Sequence, residues 1–377
     1  MTLKMQSNSA VNSSQITVLH VIARINVGGT ARYLTQLAQH LPNQNVKVVL
    51  VSGYVQGEEV EDPSASQFKI IRIPSLGRAI NPISDYKAHK ELKKIIASIK
   101  PDLIHTHTFK AGLIGRISNL GVPVIHTFHG HLFTDPEFRG FKGSVIRLIE
   151  KFLAKRSAAL VTVGQGVAED LIKKGVGVRS QYQSIAPGVL PLDVTERIQA
   201  LKNLNLSDNG RFIVAWIARM TGVKNPQRAL EIAQQMPNLH FVMAGGGDLL
   251  DSIKAKAGSN VSVVGWQDAR DVFGACDLVL STSENEGMPV ALIEAQLAGL
   301  PVVATNVGAV AEVIDSGATG WVVAADNAAL VHAITKVVDS PDKGKAMGQA
   351  ASTRAQKLFS IDQMITSHVD LYRSIVK

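Results

Sequence analysis

Short apolar runs rich in β-branched residues recur along the chain, and each run is followed by a turn signal and a stretch of helical periodicity. This alternation is typical of parallel strands joined by crossover helices, because a tight hairpin cannot connect a parallel pair. The first series of runs comprises ITVLHVIARI (16–25), VKVVLVS (46–52), DLIHTHT (102–108), VPVIHTFHG (122–130) and AALVTVG (158–164). The second series comprises FIVAWIAR (212–219), HFVMAGGG (240–247), VSVVGW (261–266), DLVLSTS (277–283), PVVAT (301–305) and GWVVA (320–324). The pattern predicts an α/β fold with two doubly wound parallel sheets in series.

A turn-rich segment, APGVLPLDVTERIQALKNLNLSDNG (186–210), separates the two series. We therefore expect a first Rossmann-like domain over residues 16–188 and a second over 189–359, facing each other across a cleft. The polar first fifteen residues predict a flexible tail. Residues 360–377 have the pattern of one amphipathic helix, which we expect to pack back towards the first domain. Ligands of doubly wound sheets bind beyond the carboxyl ends of the strands, so the cleft is the predicted site.

Composition narrows the functions open to this chain of 377 residues. Its formal net charge of +8 suits anionic partners such as phosphorylated molecules or anionic lipids. Aromatic residues make up 5%, too few for the stacking platforms that bind single-stranded nucleic acid, so we expect no nucleic-acid partner. The single cysteine, Cys276, excludes an intrachain disulfide and a thiolate metal cluster. The sequence has no signal-like apolar region and no run of about 18 apolar residues, so we expect a cytoplasmic protein.

The segment SENEGMPVALIEAQLAGLPVVAT (283–305) carries the strongest local signal for a binding site. Seven residues separate Glu286 from Glu294, and Pro289 stands where the first position of a helix is expected. The Gly-Met pair before Pro289 then forms a turn whose free amides can bind an anion. Two acceptor-only carboxylates near an anion site suit a ligand rich in hydroxyl groups. From the spacing alone, a helix cap at Glu286 and a solvated Glu294 explain the pattern equally well.

This segment resembles the donor-site signature of the retaining glycosyltransferases of family four, the glycosyl transferases group 1, which have the GT-B fold. Their signature is an acidic residue, seven residues, a second acidic residue and then a turn, which reads AGLPV here. Further matches follow in the family's order: VGG (27–29), HTFHG (126–130), IAPGV (185–189), IARMTGVKN (217–225) and AGGG (244–247). The resemblance spans nearly the whole chain, and the order of the pieces makes it specific.

By position, the resemblance implies that Arg219 and Lys224 bind the donor diphosphate. Two cations five residues apart in a strand-to-helix loop can neutralise a pyrophosphate without a metal. The family more often has G-R-L-x-x-x-K-G where this chain has ARMTGVKN, so the residue after the lysine departs from the pattern. The same resemblance assigns Gly245 and Gly246, in AGGG, to the donor site.

The resemblance also divides the two carboxylates between parts of the donor. It implies that Glu286 receives hydroxyls of the transferred sugar and that Glu294 receives hydroxyls of the ribose. Gly287 and Met288, in the turn between them, belong to the implied donor site as well.

In the first domain, the resemblance implies a wall of the site built from a glycine turn and histidines. Gly28 and Gly29 resemble the turn that approaches the donor phosphates and the acceptor, where only backbone without a side chain can come close. His129 matches the active-site histidine beside the reacting sugar, where a neutral imidazole can donate a hydrogen bond. His107 resembles a less consistently assigned position in the same wall.

Five of the 11 histidines cluster in the sequence: His105, His107, His126, His129 and His131. Such clustering is found in zinc sites, but few acidic residues accompany these histidines, and we expect no metal. For His105, His126 and His131 we expect local hydrogen bonds at strand ends.

The mechanism that the resemblance implies retains the anomeric configuration and uses no protein nucleophile and no cofactor. The leaving diphosphate itself would assist the incoming hydroxyl, with catalytic roles for His129 and Glu286. The expected donor is a nucleotide sugar, with UDP as its nucleotide and a hexosyl or N-acetylhexosaminyl group to transfer. The expected acceptor is a saccharide or lipid-linked hydroxyl in the synthesis of cell-surface polysaccharide or glycan.

Two basic stretches of the first domain have helical periodicity, FRGFKGSVIRLIEKFLAKR (138–156) and KAHKELKKIIASIK (87–100). The apolar positions of the first stretch are Phe141, Val145, Leu148, Ile149 and Phe152. Helices with an apolar stripe and a basic face can lie on anionic membrane, here the inner face of the cytoplasmic membrane. Packing of the stripe on the domain's own sheet explains the pattern equally well.

Three other classes of protein compete with a transferase. A dinucleotide oxidoreductase needs G-x-G-x-x-G, but VGQGVAE has Glu169 where the third glycine belongs. A nucleotide-sugar epimerase of the same fold would release an epimerised nucleotide sugar without any acceptor. A non-catalytic two-domain ligand-binding protein is the third alternative, and its extracytoplasmic versions need the signal peptide that we do not find.

Overall fold

The computed structural model describes residues 14–57, 59–77, 79–130, 133 and 140–376. The first thirteen residues of the expected tail, and His131, lie outside these ranges.

Seven strands form the first sheet, in the order β3-β2-β1-β4-β5-β6-β7. The strands are β1 (Ile16–Ile22), β2 (Val46–Ser52), β3 (Ile70–Arg72), β4 (Leu103–His107), β5 (Val124–Phe128), β6 (Ala159–Thr162) and β7 (Tyr182–Ser184). The pairs of β1 with β2 and β4, of β2 with β3 and of β6 with β7 are all parallel.

Six parallel strands form the second sheet, in the order β10-β9-β8-β11-β12-β13. The strands are β8 (Ile213–Ile217), β9 (His240–Ala244), β10 (Val261–Gly265), β11 (Leu278–Ser281), β12 (Val302–Thr305) and β13 (Gly320–Val323). Alternate residues of β8 enter different cores, since Ile213 and Ala215 join one apolar cluster and Val214 and Trp216 another. Both faces of the sheet are therefore covered, as a parallel sheet requires.

Most of the remaining regular structure is helical, in helices that lie between the strands and in three that follow the last strand. They are α1 (Gly29–His40), α2 (Pro82–Ile99), α3 (Thr108–Arg116), α4 (Gly140–Ala154), α5 (Gln165–Lys173), α6 (Arg197–Asn203), α7 (Pro226–Gln235), α8 (Leu250–Lys256), α9 (Ala269–Ala275), α10 (Val290–Leu297), α11 (Val310–Val313), α12 (Asn327–Val338), α13 (Pro341–Leu358) and α14 (Ile361–Val376).

The prediction of two doubly wound α/β sheets is confirmed. Each of the eleven apolar runs contains a strand, whereas β3 and β7 were not predicted. Both of these strands lie at an edge of the first sheet and contain 3 residues each, too few for a period of two to be recognisable.

The chain divides into two compact units. The smaller unit comprises residues 1–125, 156–158 and 367–377, and the larger comprises 126–155 and 159–366. The whole second sheet lies in the larger unit.

Candidate active site

In both sheets the strand order reverses beside the first strand of each series. The reversal lies between β1 and β4 in the first sheet and between β8 and β11 in the second. Loops that leave the carboxyl ends of two such strands run to opposite sides and open a crevice, which is the usual ligand site of a doubly wound sheet. In the second sheet these two loops carry Arg219 and Lys224 after β8 and Glu286 after β11.

Lys224 and Glu286 form an ion pair, although they lie 62 positions apart in the sequence. The distance from Lys224 Nζ to Glu286 Oε1 is 2.6 Å. The Ser283 hydroxyl donates to the same oxygen over 2.7 Å. Only 21% of the Lys224 side chain and 10% of the Glu286 side chain are exposed, so solvent screens the pair little. The topology thus brings together a cation expected at the diphosphate and a carboxylate expected at the sugar.

The loop after β8 is anchored to the loop after β11 through Thr282. The Trp216 indole donates to the Thr282 hydroxyl over 2.9 Å. That hydroxyl approaches the carbonyl oxygens of Lys224 and Asn225 at 3.0 and 2.8 Å, within reach of its single proton. Val223 accepts a main-chain hydrogen bond from Glu284 over 2.8 Å. These contacts hold the backbone of Lys224 beside the segment that leads to Glu286.

Arg219 lies next to the glycines that follow β9. Its side chain is exposed, whereas Met220 is buried and donates its N–H to the Gly246 carbonyl over 2.8 Å. A Cβ on Gly245 would lie 1.9 Å from the Ala218 carbonyl oxygen, and one on Gly246 would lie 2.2 Å from the Trp266 indole nitrogen. Gly245 is therefore needed for the close approach of this loop to the loop that carries Arg219, whereas Gly246 lies against Trp266.

Glu294 lies inside α10 and is 8% exposed, so it is not a solvated helix residue. The helix begins at Val290, one residue later than the spacing predicts, with Pro289 preceding it. The carbonyl of Pro289 accepts from the N–H groups of Leu292 and Ile293. Pro289 thus opens the first turn, as expected of a proline at a helix start.

The turn between the two glutamates lies directly against His129. A Cβ on Gly287 would lie 2.5 Å from the His129 carbonyl oxygen and 3.0 Å from the Gly130 Cα, so only glycine fits. Met288 packs at the edge of an apolar cluster of the second sheet. His129 is half-buried and follows β5. Residues 129 and 287 belong to the same unit, so the main chain of a predicted histidine lies against the turn that joins the two glutamates.

The remaining predicted residues, Gly28, Gly29 and His107, belong to the smaller unit. Gly28 precedes α1 with a φ of 149° and a ψ of −179°, a conformation that is essentially restricted to glycine. Gly29 is the first residue of α1. His107 ends β4, on the other side of the strand-order reversal from the glycine turn, and its side chain is fully buried.

His107 belongs to a buried cluster of four histidines and two tyrosines that the sequence did not reveal. The six residues, all 2% exposed or less, are His20, Tyr33, His105, His107, His368 and Tyr372. His20 Nδ1 lies 3.0 Å from His107 Nε2, and His105 Nδ1 lies 2.7 Å from the Tyr372 hydroxyl. The Tyr33 hydroxyl lies 3.1 Å from His368 Nε2. The members come from β1, α1, β4 and α14, so no local motif announces them.

Three of these histidines also have the composition of a metal site. His20, His105 and His107 each offer a ring nitrogen, and these nitrogens lie within 4.8 Å of one another. Hydrogen bonds between His20 and His107 and between His105 and Tyr372 already engage one ring nitrogen of each of these three histidines. The arrangement therefore fits a hydrogen-bonded core better than a preformed metal centre.

The histidine cluster should make the fold sensitive to acid. Burial, with a smaller contribution from His368, lowers the pKa of His20 to about 3. His20 is therefore neutral in the folded chain but titrates near 6.5 once unfolded, so its contribution to stability is complete above pH 6.5. This contribution is lost as the pH falls towards 3, by about 1.4 kcal/mol per pH unit. Urea unfolding between pH 8 and 5 should show a shallower loss in His20→Gln than in the unchanged chain, and equal slopes would contradict this account.

In the part of the chain that the structure describes, none of the helices has an apolar stretch of the length that spanning a bilayer requires.

The chain matches two family models that leave only its ends and residues 190–197 unmatched. Residues 27–189 match Glycosyltransferase Family 4, and residues 198–354 match Glycosyl transferases group 1. Over most of its length, the chain is similar to the UDP-Gal:alpha-D-GlcNAc-diphosphoundecaprenol alpha-1,3-galactosyltransferase of Escherichia coli. The two are 26% identical over 96% of this chain and 98% of that one.

Solved structures share the fold at low sequence identity. Sucrose-phosphate synthase from Thermosynechococcus elongatus matches with a TM-score of 0.80 at 20% identity, over 96% of this chain and 99% of that one. Anabaena Alr3699/HepE in complex with UDP matches with a TM-score of 0.79 at 19% identity, over 95% of this chain and 100% of that one. The chain therefore belongs to the family-four, group 1 glycosyltransferases and has their GT-B fold.

Proposed function

We propose that this glycosyltransferase moves a hexosyl or N-acetylhexosaminyl group, with retention of configuration, from a UDP-sugar to a hydroxyl of a lipid-linked saccharide. The observation that carries the proposal is the pairing of Lys224 with Glu286 at the carboxyl ends of β8 and β11. A cation for phosphate and an acceptor for sugar hydroxyls are thereby presented side by side. The UDP complex of Alr3699/HepE and the UDP-Gal donor of the Escherichia coli relative support UDP as the nucleotide.

The donor phosphates are assigned to cations and main-chain amides. An ammonium group has three N–H donors, so Lys224 can keep Glu286 as a partner while it donates to a phosphate oxygen. Arg219 is exposed beside the glycine loop at Gly245 and Gly246, and its guanidinium would donate two hydrogen bonds to the same diphosphate. The amides of the Gly287 and Met288 turn add uncharged donors before α10.

The two carboxylates are assigned to the hydroxyl groups of the donor. Glu286, held by Lys224 and Ser283, would accept from the transferred sugar, and Glu294 would accept from the ribose. His129, against Gly287, is assigned to the sugar and its leaving oxygen. Gly28 and Gly29 are assigned to the acceptor side, and His107, whose side chain is fully buried, is assigned there as a residue that supports this wall from within the core.

The proposed reaction exchanges one bond at the anomeric carbon for another. The bond from that carbon to the diphosphate oxygen breaks with its electron pair on the diphosphate, and the acceptor oxygen bonds to the same face. The acceptor proton passes to the leaving phosphate oxygen, so no protein carboxylate acts as a nucleophile. The chain positions the donor and stabilises the charge that develops on the diphosphate.

Turnover should persist in excess chelator. Arg219, Lys224 and the amides before α10 offset the diphosphate charge without a divalent ion. The measurement is initial velocity in EDTA after dialysis, with a protein sample supplemented with Mg²⁺ or Zn²⁺ as the control. Loss of turnover that a divalent ion restores would contradict the metal-free assignment and would point to His20, His105 and His107 as ligands.

We also propose that α4 docks on the inner face of the cytoplasmic membrane, where a lipid-linked acceptor is available. Val145, Leu148 and Phe152 form an exposed stripe at helical spacing, with 39%, 65% and 49% exposure. Cations surround this stripe on the same helix and just beyond it, at Lys142, Arg147, Lys151 and Lys155. The relative's acceptor, linked to diphosphoundecaprenol, supports such a location.

The protein should therefore sediment with anionic vesicles at low salt and dissociate as salt rises, because exposed charges are screened over about 8 Å at physiological ionic strength. Changing Arg147, Lys151 and Lys155 to Glu should abolish this binding and leave UDP affinity intact, since each cation contributes about 1 kcal/mol near the surface. In the matched control, Lys87, Lys90 and Lys94 on α2 are changed to Glu instead. Equal partition onto neutral and anionic vesicles, or none onto either, would contradict docking through α4.

The decisive test of function is incubation with UDP-, GDP- and ADP-sugars, with and without a polyprenyl-diphosphate saccharide. A transferase should form a new glycoside only when the acceptor is present, and NMR should show the donor's anomeric configuration in the product. An epimerised nucleotide sugar without acceptor would indicate an epimerase, and binding without any product would indicate a non-catalytic protein.

A further inference from the structure

The N-terminus of α5 is capped by a carboxylate from a distant part of the chain. Gly164, which precedes the helix, has no side chain to cap it. Instead, the Gln165 N–H donates to Glu312 Oε2 over 2.7 Å, and the Gly166 N–H donates to Glu312 Oε1 over 2.8 Å. Each carboxylate oxygen thus takes one of the free amides at the positive end of the helix dipole.

The fit around this carboxylate is tight. A Cβ on Gly164 would lie 2.8 and 3.0 Å from the two Glu312 oxygens and 2.9 Å from the Ala309 Cβ. On its other side, the Arg354 guanidinium donates to the carbonyls of Glu312 and Val313 over 3.0 and 2.5 Å. The Glu312 side chain is therefore fixed by the amides of α5 and its backbone by Arg354, and these contacts fix the position of α11.

The residues just before α11 support the backbone of the Glu286 turn. The Ala309 N–H donates to the Gly287 carbonyl over 3.1 Å. Gly308 has a φ of 55°, and a Cβ there would lie 1.8 Å from the Glu286 carbonyl oxygen. Any shift of α11 must therefore move the backbone from which the Glu286 side chain projects. All of these residues belong to the larger unit.

We infer that Glu312 is a positioning residue for the donor sugar: by capping α5 it fixes α11, and α11 fixes the main chain of Glu286 and Gly287. The inference rests on the proposed function, in which Glu286 receives hydroxyls of the transferred sugar. Glu312 acts through Glu286, so its loss should affect transfer rather than binding of the bare nucleotide.

The test compares Glu312→Ala with Asp326→Ala. Asp326 caps α12 by accepting from the Ala329 N–H over 2.8 Å, so the control removes a helix cap from the same unit at a position outside the assigned site. Both variants should lower Tm slightly. Only Glu312→Ala should lower kcat for the UDP-sugar, by at least about tenfold, with the Kd for UDP within about twofold of the unchanged chain. Unchanged kcat in Glu312→Ala, or an equal loss in Asp326→Ala, overturns the inference.

A double-mutant cycle separates action through Glu286 from a general effect on the fold. If Glu312 acts through Glu286, kcat of the Glu286→Gln and Glu312→Ala double variant should equal that of Glu286→Gln alone. Multiplied losses overturn the inference and leave the proposed function standing. Full turnover in Glu286→Gln contradicts the proposed role of Glu286 and the inference with it.

Gly164→Ala supplies a second perturbation should Glu312→Ala fail to fold. The added methyl must displace the Glu312 carboxylate but leaves its charge in place, and the backbone at Gly164, with a φ of −160°, accepts alanine. The same loss of kcat at unchanged UDP affinity is expected. Unchanged kcat in Gly164→Ala overturns the inference.

Discussion

Lys224→Ala should raise the Kd for UDP by roughly 10- to 150-fold, or about 1.5 to 3 kcal/mol. Two effects contribute to this loss. The variant removes the charge-assisted hydrogen bonds assigned to a phosphate oxygen. It also leaves Glu286, only 10% exposed, without its cation, so that the uncompensated carboxylate repels the incoming diphosphate.

Calorimetric titration of UDP into the variant measures this effect, and Arg219→Ala should lose affinity on the same scale. Lys202→Ala is the matched control, because it removes the same charge from the exposed surface of α6 in the same unit. Unchanged affinity in both Lys224→Ala and Arg219→Ala would refute the diphosphate assignment.

Glu286→Gln should lower kcat on the intact donor by about 100-fold, the order seen when one preorganised polar contact to a developing charge is removed. The substitution keeps the volume of the side chain but removes the anion that orders Lys224 and accepts from the sugar. Affinity for bare UDP should fall little, because no sugar is present to use Glu286.

Glu294→Gln should have the opposite profile, with the Kd for bare UDP raised about tenfold by the weaker hydrogen bond to ribose. The two roles are distinguished by measuring, in both variants, the Kd for UDP and the kcat and KM for the UDP-sugar. Identical losses of UDP affinity in the two variants would show that the roles of Glu286 and Glu294 are misassigned.

The strands of the second sheet and the turn before α10 were largely predictable, because the sequence patterns that indicate them are local. Each apolar run in residues 212–324 contains a strand, and the spacing of Glu286 and Glu294 correctly indicated a turn followed by a helix. The ion pair between Lys224 and Glu286 was not predicted, since it depends on β8 and β11 becoming neighbours in the sheet. Strand order is a property of tertiary packing that no window of the sequence contains.

The buried histidine and tyrosine cluster was missed for a related reason. His20 interrupts the apolar run of β1, and His368 lies on α14, far along the chain, so each has the appearance of an isolated polar residue. The one available signal was that a polar residue in the middle of a buried parallel strand needs a buried partner. Glu312 gave no signal at all, because its partners are main-chain amides of Gln165 and Gly166, 147 and 146 residues away.

A nucleotide sugar should bind where the loops after β8 and β11 present Lys224 and Glu286. The most direct measurement is the thermal shift of the unchanged chain, Lys224→Ala and Lys202→Ala with UDP-, GDP- and ADP-sugars, each titrated to saturation. A ligand at 100 times its Kd adds about 2.7 kcal/mol of stability. We expect a UDP-sugar to stabilise the unchanged chain and Lys202→Ala in a saturable manner, and we expect the Lys224→Ala titration to require at least tenfold higher concentrations. Stabilisation of all three proteins at the same concentration, or of none by any nucleotide sugar, would contradict this expectation.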